Sequence, residues 1–226
     1  MNLDLLQEII NLKNSKKEFS VITDISNAKS YIFSLNEKIQ EELKENEKKI
    51  IELYKSRKDG LIKGTNLFVK NYHRPIKVVI FGAVHISQFF VEYAKSLNLD
   101  IHIIDPRGYF ASEKRFPSAN IINLWPDEAF KHCTLDKNTA LIALTHDPKI
   151  DDPAIQEALK KNCFYIGALG SKKTHENRCN RLIENGFRKD EIKKIFGPIG
   201  IKFGGRSAPE IALSIIFQLM TEIYKQ

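Results

Sequence analysis

Two histidines stand where an α/β chain can most readily do chemistry. His85 follows an apolar, β-branched run at 77–82, and Thr145-His146-Asp147 closes a second such run at 139–145. If the two runs are adjacent parallel strands, two imidazoles, a hydroxyl and a carboxylate meet at the carboxyl ends of the strands, where open α/β sheets bind their ligands. Such a group can donate hydrogen bonds, move protons or hold a metal. A metal is the weakest of the three readings, because no third ligand is evident. Each histidine taken alone reads as well as a structural or merely exposed residue.

Glycine-rich turns supply a second kind of chemistry. The first reads Gly82-Ala83-Val84-His85-Ile86-Ser87. A dinucleotide fingerprint wants glycine at 82, 84 and 87, the middle one so that the backbone can touch a pyrophosphate. Only Gly82 is present, and Val84 puts a branched Cβ in the middle place. The turn is a weak nicotinamide-cofactor signal and reads also as a plain strand-to-helix turn. Asp105 lies 23 residues after Gly82. It would bind ribose hydroxyls in a dinucleotide enzyme, or pair with Arg107 to fix the turn; Arg107 could itself hold a phosphate. Gly167-Ala168-Leu169-Gly170-Ser171-Lys172-Lys173 opens a helix with glycines, free amides and lysines, a setting that suits an anion. The P-loop spacing is absent, and the alternative is a loop with Ser171 as N-cap. Gly204-Gly205-Arg206-Ser207-Ala208-Pro209-Glu210 precedes the last helix. Ser207 and Glu210 have capping-box spacing, and a cation such as Arg206 just before a positive helix end points to a nearby anion.

The elements that must position these residues alternate. From Pro75 onward, strands are expected at 77–82, 100–105, 119–122, 139–145, 163–167 and 195–196. Helices are expected at 86–97, at 126–131, after Asp152 as N-cap with Pro153 at the first position, at 171–185 closed by Gly186, and at 207–224. Such alternation makes a parallel sheet, in its simplest order 3-2-1-4-5 with the switch point between the first and fourth strands. Before it, helical spacing covers 2–13, a short strand fits 18–24, and a long amphipathic helix, with room for one break near Glu45–Lys48, is expected over 28–56, ended by Gly60. The chain is therefore read as α/β: a Rossmann-like parallel sheet at 67–226, preceded by a small, mainly helical N-terminal region at 1–66.

Composition narrows the function classes. With 226 residues the chain can bury its core without disulfides. The three cysteines, Cys133, Cys163 and Cys179, are odd in number and far apart, with no CxxC. A zinc ribbon is thus not expected and a reducing cytoplasm is. Neither Cys133 nor Cys179 has an activating partner visible in the sequence. The net charge of +7 is spread along the chain, so no basic arm for nucleic acid is expected. No apolar run reaches the roughly 18 residues of a membrane span, and the opening MNLDLLQEII has no signal-peptide character.

Taken in order, LFVKNYHRPIKVVIFGAVHIS, DPRGYFASEKRFP, LTHD, YIGALGSKK and GPIGIKFGGRSAPEIALSI resemble the XdhC/CoxI family of xanthine dehydrogenase accessory proteins, over about 67–222. The resemblance implies a Rossmann-like, cytoplasmic accessory protein. Such a protein would bind the molybdenum cofactor transiently, support its sulfuration by a cysteine desulfurase and deliver it to a molybdenum hydroxylase apoenzyme of the xanthine or CO dehydrogenase type. The sequence departs from the family's GAGH at Val84 and from its GLDIGA at Lys202, and 1–66 shows no clear match to the usual N-terminal domain.

The expected function is that of a cofactor-binding chaperone more than a turnover enzyme. Its binding residues would be Gly82, His85, Asp105, Arg107, Thr145, His146, Asp147, Gly167, Gly170, Ser171, Gly204, Arg206 and Ser207, with Arg107 or Arg115 closing over the ligand. Two alternatives stay open: an NAD(P)-binding Rossmann oxidoreductase, and a cofactorless scaffold that docks through its N-terminal helices. Those helices also admit homodimerisation.

Overall fold

The structure, a computed structural model, describes residues 3–35 and 37–225; Asn2 and Asn36, within the two expected N-terminal helices, lie outside the described residues, as do Met1 and Gln226. The chain divides into two compact units, Met1–Arg74 with Tyr224–Gln226, and Pro75–Ile223. The division falls beyond the expected 66/67 because the strand at Leu67–Tyr72 pairs within the first unit.

The first unit contains α1 (Leu3–Asn14), β1 (Phe19–Asp24), β2 (Lys29–Phe33), a 3-10 turn at Glu41–Asn46, α2 (Glu47–Lys55), β3 (Gly60–Leu61) and β4 (Leu67–Tyr72). The strands form an antiparallel sheet in the order β2-β1-β4-β3. Of the helix expected over 28–56, the second half is present as the 3-10 turn and α2, which meet at Asn46–Glu47 within the expected break, while the first part is not helical. That first part is β2, and helical spacing holds only from about Ile39 onward. The hairpin between β1 and β2 is made by side chains of the turn. Asp24 accepts from the Ser26 amide at 2.9 Å and from Asn27 Nδ2 at 2.9 Å, and Asn27 accepts from the Lys29 amide at 2.8 Å. Short polar side chains that bond nearby backbone compete with helix in this way. Gly60 begins β3 rather than ending a helix.

Asn71 organises this unit. It faces Ser20 across the sheet, is buried, and accepts from Ser20 Oγ at 2.5 Å. Its Nδ2 donates to the Lys58 carbonyl at 2.8 Å and the Leu53 carbonyl at 3.3 Å. One amide group thus binds the end of α2 to the sheet.

The second unit begins with β5 (Ile76–Phe81), α3 (His85–Ala94), β6 (Leu99–Ile104), β7 (Asn120–Ile122), α4 (Pro126–His132) and β8 (Thr139–Ala143). It continues with α5 (Pro148–Lys160), β9 (Tyr165–Ala168), α6 (Lys172–Glu184), α7 (Lys189–Ile192), β10 (Ile195–Phe196) and α8 (Ala208–Ile223). The strands make one parallel sheet in the order β10-β9-β8-β5-β6-β7. This is the expected order with the short last strand added, and β5 and β8 flank the switch point. Strand period two divides β5 between two cores. Val78 and Ile80 pack with Phe90 and Val91 of α3 and with Ile215 and Leu219 of α8. Val79 and Phe81 pack with Ala129 of α4, Ile155 of α5 and Leu182 of α6. A strand covered on both faces needs the unbroken apolar run seen in the sequence.

One helix start moves. The N-cap of α5 is Asp147, whose side chain accepts from the Lys149 amide, with Pro148 at the first position. Asp152 and Pro153 lie inside the helix, so the Asp-Pro pair that caps is the earlier one.

Asn71→Ala would strand the Ser20 hydroxyl and two carbonyls. At about 1–3 kcal/mol for each unsatisfied buried group, partly relieved by relaxation, a loss of about 2–4 kcal/mol is expected. Urea unfolding followed by circular dichroism measures it.

Candidate functional site

The turns after β5, β6, β8 and β9 come together at the carboxyl edge of the parallel sheet, and two buried aspartates fix them. Asp105, directly after β6, has no exposed surface. It accepts from the Ala83 amide at 2.8 Å, from the Arg107 amide at 3.0 Å, and from Arg107 Nε and Nη2 at 2.8 Å each. Burial alone would raise its pKa; the paired guanidinium and the two amides outweigh burial and hold it below the ordinary carboxylate value. The β6 turn is thereby bound to the β5 turn. Of the two roles left open for Asp105, the structure provides the Arg107 pair. Arg107 stays about half exposed, lies 5.1 Å from the Phe110 ring, and feels the charges of Asp147 and Asp151.

Asp151, in the first turns of α5, is buried as well. It accepts from Thr145 Oγ1 at 2.6 Å, the Thr145 amide at 3.2 Å and the His146 amide at 3.1 Å. Its pKa is raised, because burial exceeds the effect of these bonds and of Arg178. The ring of bonds holds His146 at φ 64° and leaves its side chain exposed. Arg178 of α6 lies 3.8 Å from Asp151 and donates from Nη2 to the Leu169 carbonyl at 3.1 Å. The β8 and β9 turns are therefore linked through one buried cation. Asp152 pairs with Arg181 on the same side.

Gly82 sits at φ 115°, and a Cβ there would lie 3.0 Å from Thr145 Cγ2 and 3.2 Å from the Thr145 amide nitrogen. Only glycine fits this contact between the β5 and β8 turns. Val84 is the N-cap of α3 with no side-chain cap bond, and its side chain packs against the core under α3 and α8. The branched group is thus partly taken up by the core, and α3 opens with uncapped amides. His85, like His146, is exposed. Arg115 is more anchored than free: it donates to the Ala83 carbonyl at 2.9 Å, the Phe110 carbonyl at 2.5 Å and Gln88 Oε1 at 2.8 Å.

Gly170 sits at φ 145° against Thr174, and Ser171 caps α6 by accepting from the Thr174 amide at 3.1 Å. Gly167 admits Ile199, which would lie 2.4 Å from a Cβ. Only the glutamate half of the expected capping box forms: Glu210 accepts from the Ser207 and Arg206 amides at 2.9 and 3.1 Å, and Ser207 Oγ donates to Glu210 at 2.5 Å. Gly204 has φ 103° and open space around it. Among the described residues, no hydrogen bond or ion pair joins Gly204, Arg206 or Ser207 to the turns fixed by Asp105 and Asp151. The same residues hold no cluster of three potential metal ligands and no helix long and apolar enough to cross a membrane.

Asp151, Arg178 and the pair His175–Cys179 escape a sequence reading. Asp151 falls just before the helix start expected at Asp152, and α6 is too polar to mark one arginine as buried. The signal available for the pair is its spacing: His175 precedes Cys179 by one helical turn, and Sγ lies 3.5 Å from Nε2. Cys179 therefore has a neighbouring imidazole, but burial raises the pKa of its thiol, so that neighbour does not activate it.

Comparison with known proteins adds independent findings. The XdhC Rossmann domain family matches residues 78–219. The molybdenum cofactor insertion chaperone PaoD of Escherichia coli K12 is 30% identical over 154 residues, 68% of this chain and 42% of that protein. A protein of Bacillus subtilis 168, named as a probable xanthine dehydrogenase subunit, is 25% identical over 157 residues, 69% of this chain and 46% of that protein. The matches thus span less than half the length of these two curated relatives. A crystal structure described as a xanthine dehydrogenase from Bacillus halodurans shares the fold, with a TM-score of 0.77 at 21% identity, covering 100% of this chain and 66% of that one.

The Asp105–Arg107 pair has a pH signature. The carboxyl titrates near 3.8 when unfolded and lower when folded, so the unfolded state binds more protons in between. Its stabilisation is complete above pH ~4 and is lost as pH falls through the folded value. Asp105→Asn is expected to cost about 2–3 kcal/mol at neutral pH. The gap to wild type should close in acid, which denaturant unfolding across a pH series would show.

Proposed function

This chain belongs to the XdhC family, and on that premise we propose that it is an accessory factor for a molybdenum hydroxylase of the xanthine or CO dehydrogenase type. In this reading it works in the cytoplasm, binds the molybdenum cofactor transiently, presents it for sulfuration by a cysteine desulfurase and passes it to the apoenzyme. When bound, the cofactor supplies the redox-active metal and its sulfur site; the protein supplies binding and release.

The observation that carries the reading is what the crevice edge leaves available. Asp105 is fully engaged by four donated hydrogen bonds. A nicotinamide enzyme would want that carboxylate for ribose hydroxyls, which weighs against the NAD(P) alternative. What remains is a set of donors. Arg107 presents the open side of its guanidinium, α3 opens with uncapped amides, and α6 begins at Gly170-Ser171 followed by exposed Lys172 and Lys173. Donors and positive helix ends suit an anionic, hydrogen-bonding ligand such as a pterin phosphate. His85 and His146 would meet the polar edge of the pterin, with Gly82, Thr145 and Asp147 shaping the turn beneath it. The phosphate would lie at Gly167–Ser171 or, on the neighbouring turn, at Gly204, Arg206 and Ser207.

Anaerobic binding of purified molybdenum cofactor, run beside NADP, tests this. Wild type is expected to bind one equivalent of the cofactor and to leave NADP free. Loss of one charge-assisted contact in Arg107→Ala should weaken binding about 10- to 100-fold, and His146→Ala should weaken it by a smaller factor. Unchanged affinity in both variants would refute the site, and binding of NADP alone would refute the function.

A further inference from the structure

His175 and Cys179 face the same side of α6, one turn apart, with Nε2 and Sγ at 3.5 Å. Both are partly buried. The imidazole lies against Gly197, where a Cβ would fall 2.0 Å from Nδ1, so Nδ1 faces inward and Nε2 faces the sulfur. Burial lowers the pKa of His175 and raises that of Cys179. The pair is therefore a neutral imidazole beside a thiol, and a nucleophilic cysteine needs the opposite shift.

The geometry points to a different use: we propose that His175 Nε2 and Cys179 Sγ form a two-point chelate for a tetrahedral, borderline-soft divalent cation such as Zn(II). Metal–nitrogen and metal–sulfur bonds of roughly 2.0–2.1 and 2.3 Å at a tetrahedral angle place the two donor atoms about 3.5 Å apart. The pair already has that separation, so the cation enters without rearranging the helix. On binding, the thiol releases its proton to solvent and the sulfur becomes a thiolate ligand. No third histidine, cysteine or carboxylate converges among the described residues, so the remaining positions belong to water; the buried Arg178 and the exposed Glu176 act on both partners through their charges only. The metal at Nε2 moves the ring proton to Nδ1, which is buried without a hydrogen-bond partner. Lacking that outer-shell acceptor, the site binds roughly 10- to 100-fold more weakly than a fully supported one. This proposal is independent of the cofactor reading.

The test is titration of the reduced, full-length protein with Co(II) and with Cd(II), followed by thiolate-to-metal charge-transfer absorption. That band reports only cysteines, and Cys133 and Cys163 are buried at 2% and 6% exposure. A band saturating at one equivalent is expected. It should vanish in both Cys179→Ser and Cys179→Ala, and its midpoint should rise at least about tenfold in His175→Gln, with circular dichroism confirming that each variant is folded. No band in wild type, a band retained without Cys179, or a midpoint unmoved by His175→Gln would each overturn the proposal.

Discussion

A carboxylate with no access to water must be satisfied by donors fixed in the protein, and Asp151 imposes that requirement on the whole carboxyl edge of the sheet. Its oxygens are met by the Thr145 hydroxyl and by the amides of Thr145 and His146, and Arg178 stands opposite. Such a group costs free energy when left unpaired. The β8 turn, the start of α5 and the β9 turn are therefore held in one arrangement. The left-handed backbone of His146 follows from this, and so does the outward direction of its side chain. Asp105 repeats the device between β5 and β6.

These clamps work because the sheet beneath them is rigid. β5 and β8 are buried on both faces, between a layer containing α3 and α8 and a layer containing α4, α5 and α6. Close-packed layers of that kind transmit position and resist displacement. Gly82 then allows the β5 turn to touch the β8 turn at Thr145. In the first unit, Asn71 has the equivalent part, tying α2 to an antiparallel sheet by side-chain bonds to backbone.

The parallel sheet was legible because its strands are continuous β-branched runs separated by helical spacing, which local sequence reports directly. Its six strands and their order follow from that alternation and from handedness rules. The antiparallel unit was harder to read. β1 is an apolar run buried on both faces, but β2 is mostly half-buried and carries Ile32 and Phe33 at a spacing that also fits a helix. What decides the matter is the Asp24–Asn27 turn, whose bonding pattern reveals a hairpin only when the turn residues are weighed above the apolar period. The site divides in the same way. Glycines, turn aspartates and terminal histidines stood out by position. Asp151 and Arg178 did not, since a charged residue on a polar helix gives no sign in one dimension that tertiary packing has buried it.

The same burial bears on what this edge can do. Asp105 is consumed by Arg107 and two amides, Asp151 by Thr145 and His146, and Asp147 by the amide of Lys149. Asp105 is a poor general base, because taking up a proton would break the bonds that hold the β5 and β6 turns; Asp151, although burial raises its pKa, has both oxygens occupied by Thr145 and His146. The groups still facing outward are an arginine, two histidines, helix amides and lysines, and apart from the histidines they donate hydrogen bonds without accepting protons. In the proposed function, donors of this kind would hold and orient an anionic ligand, with the two histidines hydrogen-bonding its polar edge.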